Sequence, residues 1–344
     1  MNSLVITGGA GFIGSNAAAY YLSRGAAVTI YDNLSRPRTQ YNLDWLRSRP
    51  GAENLRCITG DVRDADAVRT AIEHAQPDLV LHLAAQTAVT TSLRNPREDF
   101  EINALGTFHV LEAVRSLSTP PALFYASTNK VYGSMEDVAL VEEAQRYHFR
   151  DFPAGIDESR PLDFHSPYGC SKGAGDQYVH DYARIYGLRT VVFRQSTIYG
   201  LRQFGVEDQG WLAHFIIAAV LGRPIKIYGN GKQVRDMLHV TDLVAAYDAA
   251  WHNLDRAAGE VFNIGGGIDN TIAIWTETAP LLEELAGHPL PVTHGDWRPG
   301  DQPCFVSNNA KLAARLGWKP TVSLPTGIRQ LWAWVSENRT LFEG

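Results

Sequence analysis

The sequence predicts an α/β protein: a doubly wound parallel sheet with a smaller, interleaved C-terminal lobe. Three observations lead there. Short β-branched runs alternate with helical patterns over the first two-thirds of the chain. Those runs are apolar almost throughout, as strands covered on both faces must be. After Arg194 the alternation gives way to an irregular stretch rich in Gly, Pro, Trp and Gln. At 344 residues, 45% hydrophobic and 20% charged, the chain can bury a large core and does not have a disordered composition.

The elements follow in order. Leu4–Thr7 reads as a buried strand, and Phe12–Arg24 as a helix closed by Gly25. Ala27–Tyr31 and Leu55–Thr59 are the next strands. Asp64–Ala75 is predicted to be a helix, opened by an acidic residue that suits the positive end of its dipole. Leu79–Leu83 and Ala122–Ala126 are strands flanking one long helix from about Glu98 to Leu117. Tyr168–Tyr186 is a further helix and Thr190–Arg194 a sixth strand. Segment 141–167 lacks periodicity and is expected to be a long loop. The sheet domain is expected at 1–194 plus about 234–264. The lobe is expected at about 195–233 plus 265–344.

Charge and cysteines narrow the function. The net charge of −6 offers no basic surplus for nucleic acid. Cys57, Cys170 and Cys304 are odd in number and far apart, which disfavours a disulfide framework or a metal site. Met1-Asn2-Ser3 lacks a basic signal-peptide start, and Trp211–Leu221 is too short to span a bilayer. The expectation is a soluble, cytoplasmic protein with no membrane partner.

One turn carries strong chemical information. Glycines 8, 11 and 14 follow a strand and open a helix. They permit a tight turn and let backbone approach a pyrophosphate, which the helix N-terminus then binds. The next strand ends at Asp32, 18 residues after Gly14, where a carboxylate can hold ribose hydroxyls. Strand, turn, helix and acid together make a Rossmann-type dinucleotide site. Asp32 repels a 2′-phosphate and so favours NAD over NADP, while nearby Arg36 pulls weakly the other way.

Tyr168 and Lys172 stand four apart on a predicted helix and so share a face. A phenol is a poor base at neutral pH, and a neighbouring ammonium is expected to lower its pKa. Such a pair can take a proton from a sugar hydroxyl as hydride leaves for NAD. Ser127 and Thr128, directly after the fifth strand, can bond the reacting oxygen, since ligands sit beyond the carboxyl ends of parallel strands.

Together these motifs resemble the extended short-chain dehydrogenase/reductase family, the NAD-dependent nucleotide-sugar epimerases and dehydratases. The matching strings are TGGAGFIG (7–14), HLAAQ (82–86), VYG (131–133), YGCSK (168–172), RDMLHV (235–240) and RPGD (298–301). Longer strings, STNKVYG (127–133) and LDFHSPYGCSKGAGDQY (162–178), resemble the CDP-paratose 2-epimerase group of that family. The resemblance implies Tyr168 as base, Lys172 as its partner and holder of the nicotinamide ribose, and Thr128 as the third catalytic group. It implies that Gly8, Gly11, Phe12, Ile13 and Gly14 hold pyrophosphate. Asp32, Asn33, Ser35 and Arg36 would hold the adenosine ribose, and Asp61 and Val62 would flank adenine. Leu83, Ala84, Ala85, Gln86 and Asn103 would line the dinucleotide path, with Ser127 and Gln195 near nicotinamide. Arg235, Arg298 and Asp301 would bind the nucleotide diphosphate and ribose of a CDP-sugar or other nucleotide sugar. Thr87, Asn129, Lys130, Ser196, Thr197, Arg202, Gln203 and Gln209 would contact substrate.

Two departures refine this. Asn129-Lys130 replaces the acidic pair that family dehydratases carry, which argues against dehydration. Gln86 stands where many 4-epimerases have Lys, which argues against a UDP-hexose 4-epimerase. The resemblance to the 2-epimerase group implies epimerisation at C2 through a keto sugar. The alternatives are a UDP-hexose 4-epimerase, an epimerase of another nucleotide sugar, or a catalytically silent NAD-binding protein. Relatives' long helices also imply a homo-oligomer, dimer or tetramer. Because substrate and cofactor are both anionic, an acidic chain must bind them by local devices: the helix start after Gly11, Arg235 and Arg298.

Overall fold

The computed structural model describes residues 1–298 and 300–343. Pro299 of the RPGD string therefore lies outside the described residues. Seven parallel strands form the central sheet: β1 (Ser3–Thr7), β2 (Ala27–Asp32), β3 (Leu55–Thr59), β4 (Leu79–His82), β5 (Ala122–Thr128), β6 (Thr190–Gln195) and β7 (Val261–Ile264). Their spatial order is β7-β6-β5-β4-β1-β2-β3. The chain runs outward from β1 to β3, then returns to β4 on β1's other side. That reversal opens a crevice beyond the carboxyl ends of β1 and β4, where such sheets bind ligands.

Helices cover both faces. α1 (Phe12–Leu22) and α6 (Val240–His252) pack on one; α2 (Ala65–Ala75), α4 (Gly106–Arg115) and α5 (Ser166–Tyr186) pack on the other. Alternation along β1 separates the cores: Leu4 and Ile6 join the first, Val5 the second. α2 begins as its sequence suggests, with the Asp64 carboxylate capping the Ala67 N–H at 3.0 Å.

The lobe has its own sheet, built around Val234–His239. That strand pairs with Thr197–Tyr199, Thr271–Ala273 and Cys304–Phe305. Helices Trp211–Val220 and Leu324–Glu337 share a third apolar core with it. The stretch from 234 to 264 is thus shared: its first strand pairs in the lobe, while α6 and β7 belong to the parallel sheet's layers. Leu312, Leu316 and Trp318 also return to the core beneath the large sheet.

Two elements differ from expectation. The helix predicted from 98 to 117 is three pieces: α3 (Pro96–Phe100), a π-helical turn at Glu101–Leu105, and α4. The wider turn sends Asn103 into the interior, where it bonds Gln86, Asp99 and Ser171. Gly106 then packs against Val62, whose Cγ2 would lie 2.7 Å from any added Cβ. Segment 141–167 is largely irregular, yet it contains most of a hairpin, Leu140–Glu142 with Tyr147–Phe149. Strands of three residues are too short to show periodicity in sequence.

Candidate active site

A cavity of about 240 Å³ opens at the switch between β1 and β4. It is lined by Gly8, Gly11, Phe12, Ile13, Gly14, Asp32, Asn33, Ser35, Arg36, Asp61, Val62, Leu83, Ala84, Ala85 and Thr87. Ser127, Tyr168, Lys172, Gln195 and Gln209 line it too. Most of the residues expected to hold the dinucleotide are thereby brought together with the tyrosine–lysine pair. Gly60, beside Asp61, also lines it, as do Tyr31, Thr39, Ile102 and Ala126, to which no motif pointed.

The turn fits a pyrophosphate for steric reasons. Gly8 has φ +70°, and a Cβ there would lie 2.7 Å from Ala84 N. A Cβ on Gly14 would lie 2.4 Å from Gly8 O. Gly11 caps α1 in extended backbone, and the first helical N–H bonded back to it is that of Ser15. The N–H groups of Phe12, Ile13 and Gly14 have no partner among the described residues, so they face the cavity as anion donors.

Asp32 is fixed for ribose. Its two oxygens accept Ala10 N–H at 3.0 Å and Leu34 N–H at 2.8 Å, leaving further lone pairs for ligand hydroxyls. Burial raises its pKa against these bonds. Asp61 is held by Arg63 and Asn33, which keep its carboxyl well below the usual range. Arg36 donates to Thr87 Oγ1 at 3.2 Å. Thr87 thus meets the cofactor-side arginine. The residue set fits a dinucleotide with unmodified ribose hydroxyls.

The groups expected to be catalytic sit on α5 and at the end of β5. Tyr168 and Lys172 are both buried, and Ser127 and Thr128 belong to β5 rather than following it. Lys172 Nζ lies 4.2 Å from the centroid of the Tyr125 ring. Burial lowers the lysine to about 7, while Asp176 and Asp99 draw it back up. Tyr168 departs from expectation. Burial pushes its phenol up to about 12, a hydrogen bond with Thr128 opposes this, and Asp99 adds to it. The net shift is therefore upward, opposite to the lowering expected from the ammonium. Desolvation outweighs the lysine's charge in this pocket.

Beneath them lies a polar layer that the motifs did not reveal. Asp176 accepts Arg194 Nε and one Nη, both at 2.9 Å, and Ser127 Oγ at 2.6 Å. Thr7 Oγ1 lies 2.6 Å from His82 Nδ1, and His82 Nε2 lies 3.0 Å from Thr107 Oγ1. Because Thr107 donates to Asn103 O at 2.6 Å, its oxygen accepts from Nε2–H, which leaves Nδ1 to accept from Thr7. Burial holds this neutral imidazole down at about 3.

Other expected contacts lie elsewhere. The Gln86 side chain bonds Asp99 and Ala88, and Asn103 is buried beside it, so neither lines the cavity. Ser196 is spent on Asp236, and Thr197 opens a strand of the lobe sheet. Arg202 and Gln203 lie in a recess of about 40 Å³ with Gly11, Phe12, Arg36 and Gln209, at the phosphate turn rather than beside Tyr168. The cause is backbone: Arg202 has φ +68°, which turns 200–205 across α1, and Asn16 bonds Leu201 O at 2.9 Å. The Arg202 guanidinium bonds Asn42 and Tyr41 O.

The charged residues expected to bind substrate lie near one another. Arg235 pairs with Asp301 at 2.5 Å. Lys130 Nζ lies 3.3 Å from Gly300 O and 3.4 Å from Gln302 Oε1, and burial lowers it to about 8. Arg298 is tied to Glu207 and Asp208, each at 3.5 Å, and stacks over Tyr228 at 3.9 Å. Asn129 is buried beside Thr128, 3.3 Å from its hydroxyl.

The sequence model of the GDP-mannose 4,6 dehydratase family matches residues 5–331. The chain belongs to that family, among the extended short-chain dehydrogenase/reductases. It is 46% identical to CDP-paratose 2-epimerase of Salmonella typhi over 338 residues, covering 97% of this chain and 99% of that one. Among solved structures it is similar to the UDP-glucose 4-epimerase of Thermotoga maritima with UDP-glucose. That match has TM-score 0.84 and 28% identity, over 98% of this chain and 99% of the other. It is equally similar to the dTDP-glucose 4,6-dehydratase of Streptomyces venezuelae solved with NAD. There the TM-score is 0.84 with 28% identity, over 99% of each chain.

Proposed function

We propose that this protein is an NAD-dependent isomerase that inverts C2 of a CDP-deoxyhexose, converting CDP-paratose to CDP-tyvelose. The carrying observation is the single cavity that joins the phosphate turn to Tyr168 and Lys172, in a chain 46% identical to a CDP-paratose 2-epimerase over nearly its whole length. Asn129-Lys130 beside Thr128 supports epimerisation over dehydration, because no carboxylate follows the threonine to work on the sugar's outer carbons.

NAD, when bound, supplies a reversible acceptor for hydride. The proposed work of the protein's own groups is proton handling and orientation. Thr128 holds the reacting hydroxyl, and Tyr168 takes its proton. A phenol pushed up to about 12 by burial needs added positive charge to ionise, and Lys172, one helical turn on, is assigned to supply it. Loss of that proton from O2 together with hydride from C2 to the acceptor would leave a 2-keto sugar, planar at C2. Turning its other face, with return of the hydride to C2 and of the Tyr168 proton to O2, would give the epimer. Arg235, Arg298 and Lys130 are assigned to the diphosphate and sugar, which would replace their present carboxylate and carbonyl partners.

Incubation with CDP-paratose, CDP-glucose and UDP-glucose separately, followed by NMR of the sugar protons, tests the reading. Inversion of CDP-paratose at C2 is expected. Inversion of UDP-glucose at C4 would instead establish the 4-epimerase alternative.

We also propose a homo-oligomer, dimer or tetramer, through the face of α4 and α5. Phe108, Tyr178, Ile185 and Tyr186 are exposed there, and Phe108 and Tyr178 touch edge-to-face at 6.0 Å. Light scattering checks the mass. No described helix is long and apolar enough to cross a membrane. A cytoplasmic location is proposed on the free thiols, of which Cys57 and Cys170 are exposed.

A further inference from the structure

Two carboxylates are buried near Lys172, and they differ in what neutralises them. Asp176 is gripped by the Arg194 guanidinium, so its charge is matched. Asp99, on α3, is fully buried and accepts only from neutral donors: Gln86 Nε2 at 2.8 Å, Asn103 Nδ2 at 3.2 Å and Ser171 Oγ. Burial raises the Asp99 carboxyl, while its bonds from Ser171 and Gln86 and the charge of Lys172 draw it back down, so the one cation that supports its charge is not bonded to it. Ser171 directly precedes Lys172 on α5. The Lys172 ammonium in turn has no hydrogen bond among the described residues and rests over the Tyr125 ring. One charge of each sign, lacking a bonded counter-ion among the described residues, is therefore buried in the same layer.

We propose that Asp99 is a positioning residue of the active site: it is the counter-charge that keeps Lys172 protonated away from water, and its bond to Ser171 fixes the helix that carries both Tyr168 and Lys172. The proposal rests on the assignment of Lys172 as the partner of Tyr168. Asp176 also draws Lys172 towards protonation, but its charge is shared with a guanidinium, and the remaining groups facing Lys172 carry no negative charge. From β4, His82 is neutral; from β5, Tyr125 is a phenol raised by burial; on α5 itself, Asp176 is matched by Arg194 of β6. Asp99 supports protonation of Lys172 and also helps hold the Tyr168 phenol up. Removing its charge should therefore move both titrations towards lower pH.

The test reads Lys172 directly. The chain has six lysines, so ¹³C labelling at lysine Cε gives few signals, and Lys172→Met assigns the one of interest. In Asp99→Asn the Lys172 midpoint should fall by about one pH unit or more, and the pH–rate profile should slide to lower pH as a whole. Ser171→Ala removes the hydrogen bond but keeps the charge, and should leave the midpoint unmoved. Asp99→Glu, which keeps the charge and alters the shape, should also leave it high. An unmoved midpoint in Asp99→Asn, an equal fall in Ser171→Ala, or a fall in Asp99→Glu overturns the proposal. The titration needs no turnover, so a wild-type protein inert towards CDP-paratose would defeat the functional reading and leave this measurement to decide separately.

Discussion

The cofactor side of the cleft is made mostly of backbone, whereas the substrate side is made of charged side chains bound to one another. Gly8, Gly11 and Gly14 shape the first, and Phe12, Ile13 and Gly14 line the cavity with N–H groups that have no partner among the described residues. On the second, Arg235 is closed on Asp301, and Arg298 on Glu207 and Asp208. One site is preformed and can bind with little rearrangement. On the proposed assignment the other would exchange ion pairs for a diphosphate, so part of the binding energy would be offset by breaking them.

Substitutions should separate these two behaviours. The largest effect belongs to the group between them: Tyr168→Phe should lower kcat by roughly 10²- to 10⁴-fold, with NAD content unchanged by absorbance. On the preformed side, Gly14→Ala puts a Cβ 2.4 Å from Gly8 O. The strain, about 1–3 kcal/mol, should weaken NAD binding roughly 5- to 100-fold in a fluorescence titration, and an unaltered affinity would mean the turn is not rigid. On the exchanging side, Arg235→Ala should raise KM roughly tenfold or more, with a smaller change in kcat. The smallest effect is expected from Glu207→Gln, which loosens Arg298. Exposed pairs are worth at most about 1 kcal/mol, so KM should fall by no more than about fivefold. A rise in KM would show that Glu207 orients Arg298 rather than competing for it.

Beneath both sides, His82 gives a pH test. Its pKa is about 3 against an ordinary 6.5. The folded state therefore binds fewer protons, and stability is full above 6.5 and declines as pH falls towards 3. Urea midpoints at pH 7 and pH 4 should differ more in wild type than in His82→Asn.

How much of this was legible in the sequence depended on distance along the chain. The phosphate turn lies within eight consecutive residues, and Tyr168 and Lys172 within one helical turn, so local spacing revealed them. The same spacing places Asp176 one turn beyond Lys172, a signal that was available. Asp99 meets Ser171 across 72 positions, and no local pattern could announce it. The phenol of Tyr168 was misjudged for a related reason: the charge of its neighbour is written in the sequence, but the burial that outweighs it is a property of the assembled fold. Arg202 was misplaced because its left-handed backbone, at a residue that is not glycine, reverses the direction of the segment.

The way the chain is threaded constrains how the cleft can move. Beyond β6 it passes into the lobe sheet, back under the large sheet at α6 and β7, out again at Thr271–Ala273, and back once more at Leu312–Trp318. A two-part clamp swings freely only when few strands of backbone cross the gap. Here many do, and each is anchored in a core at both ends. Gaping of one half against the other is therefore suppressed, and admission of substrate falls to side chains and short loops. By the same token neither half can be cut out as an independently folding fragment.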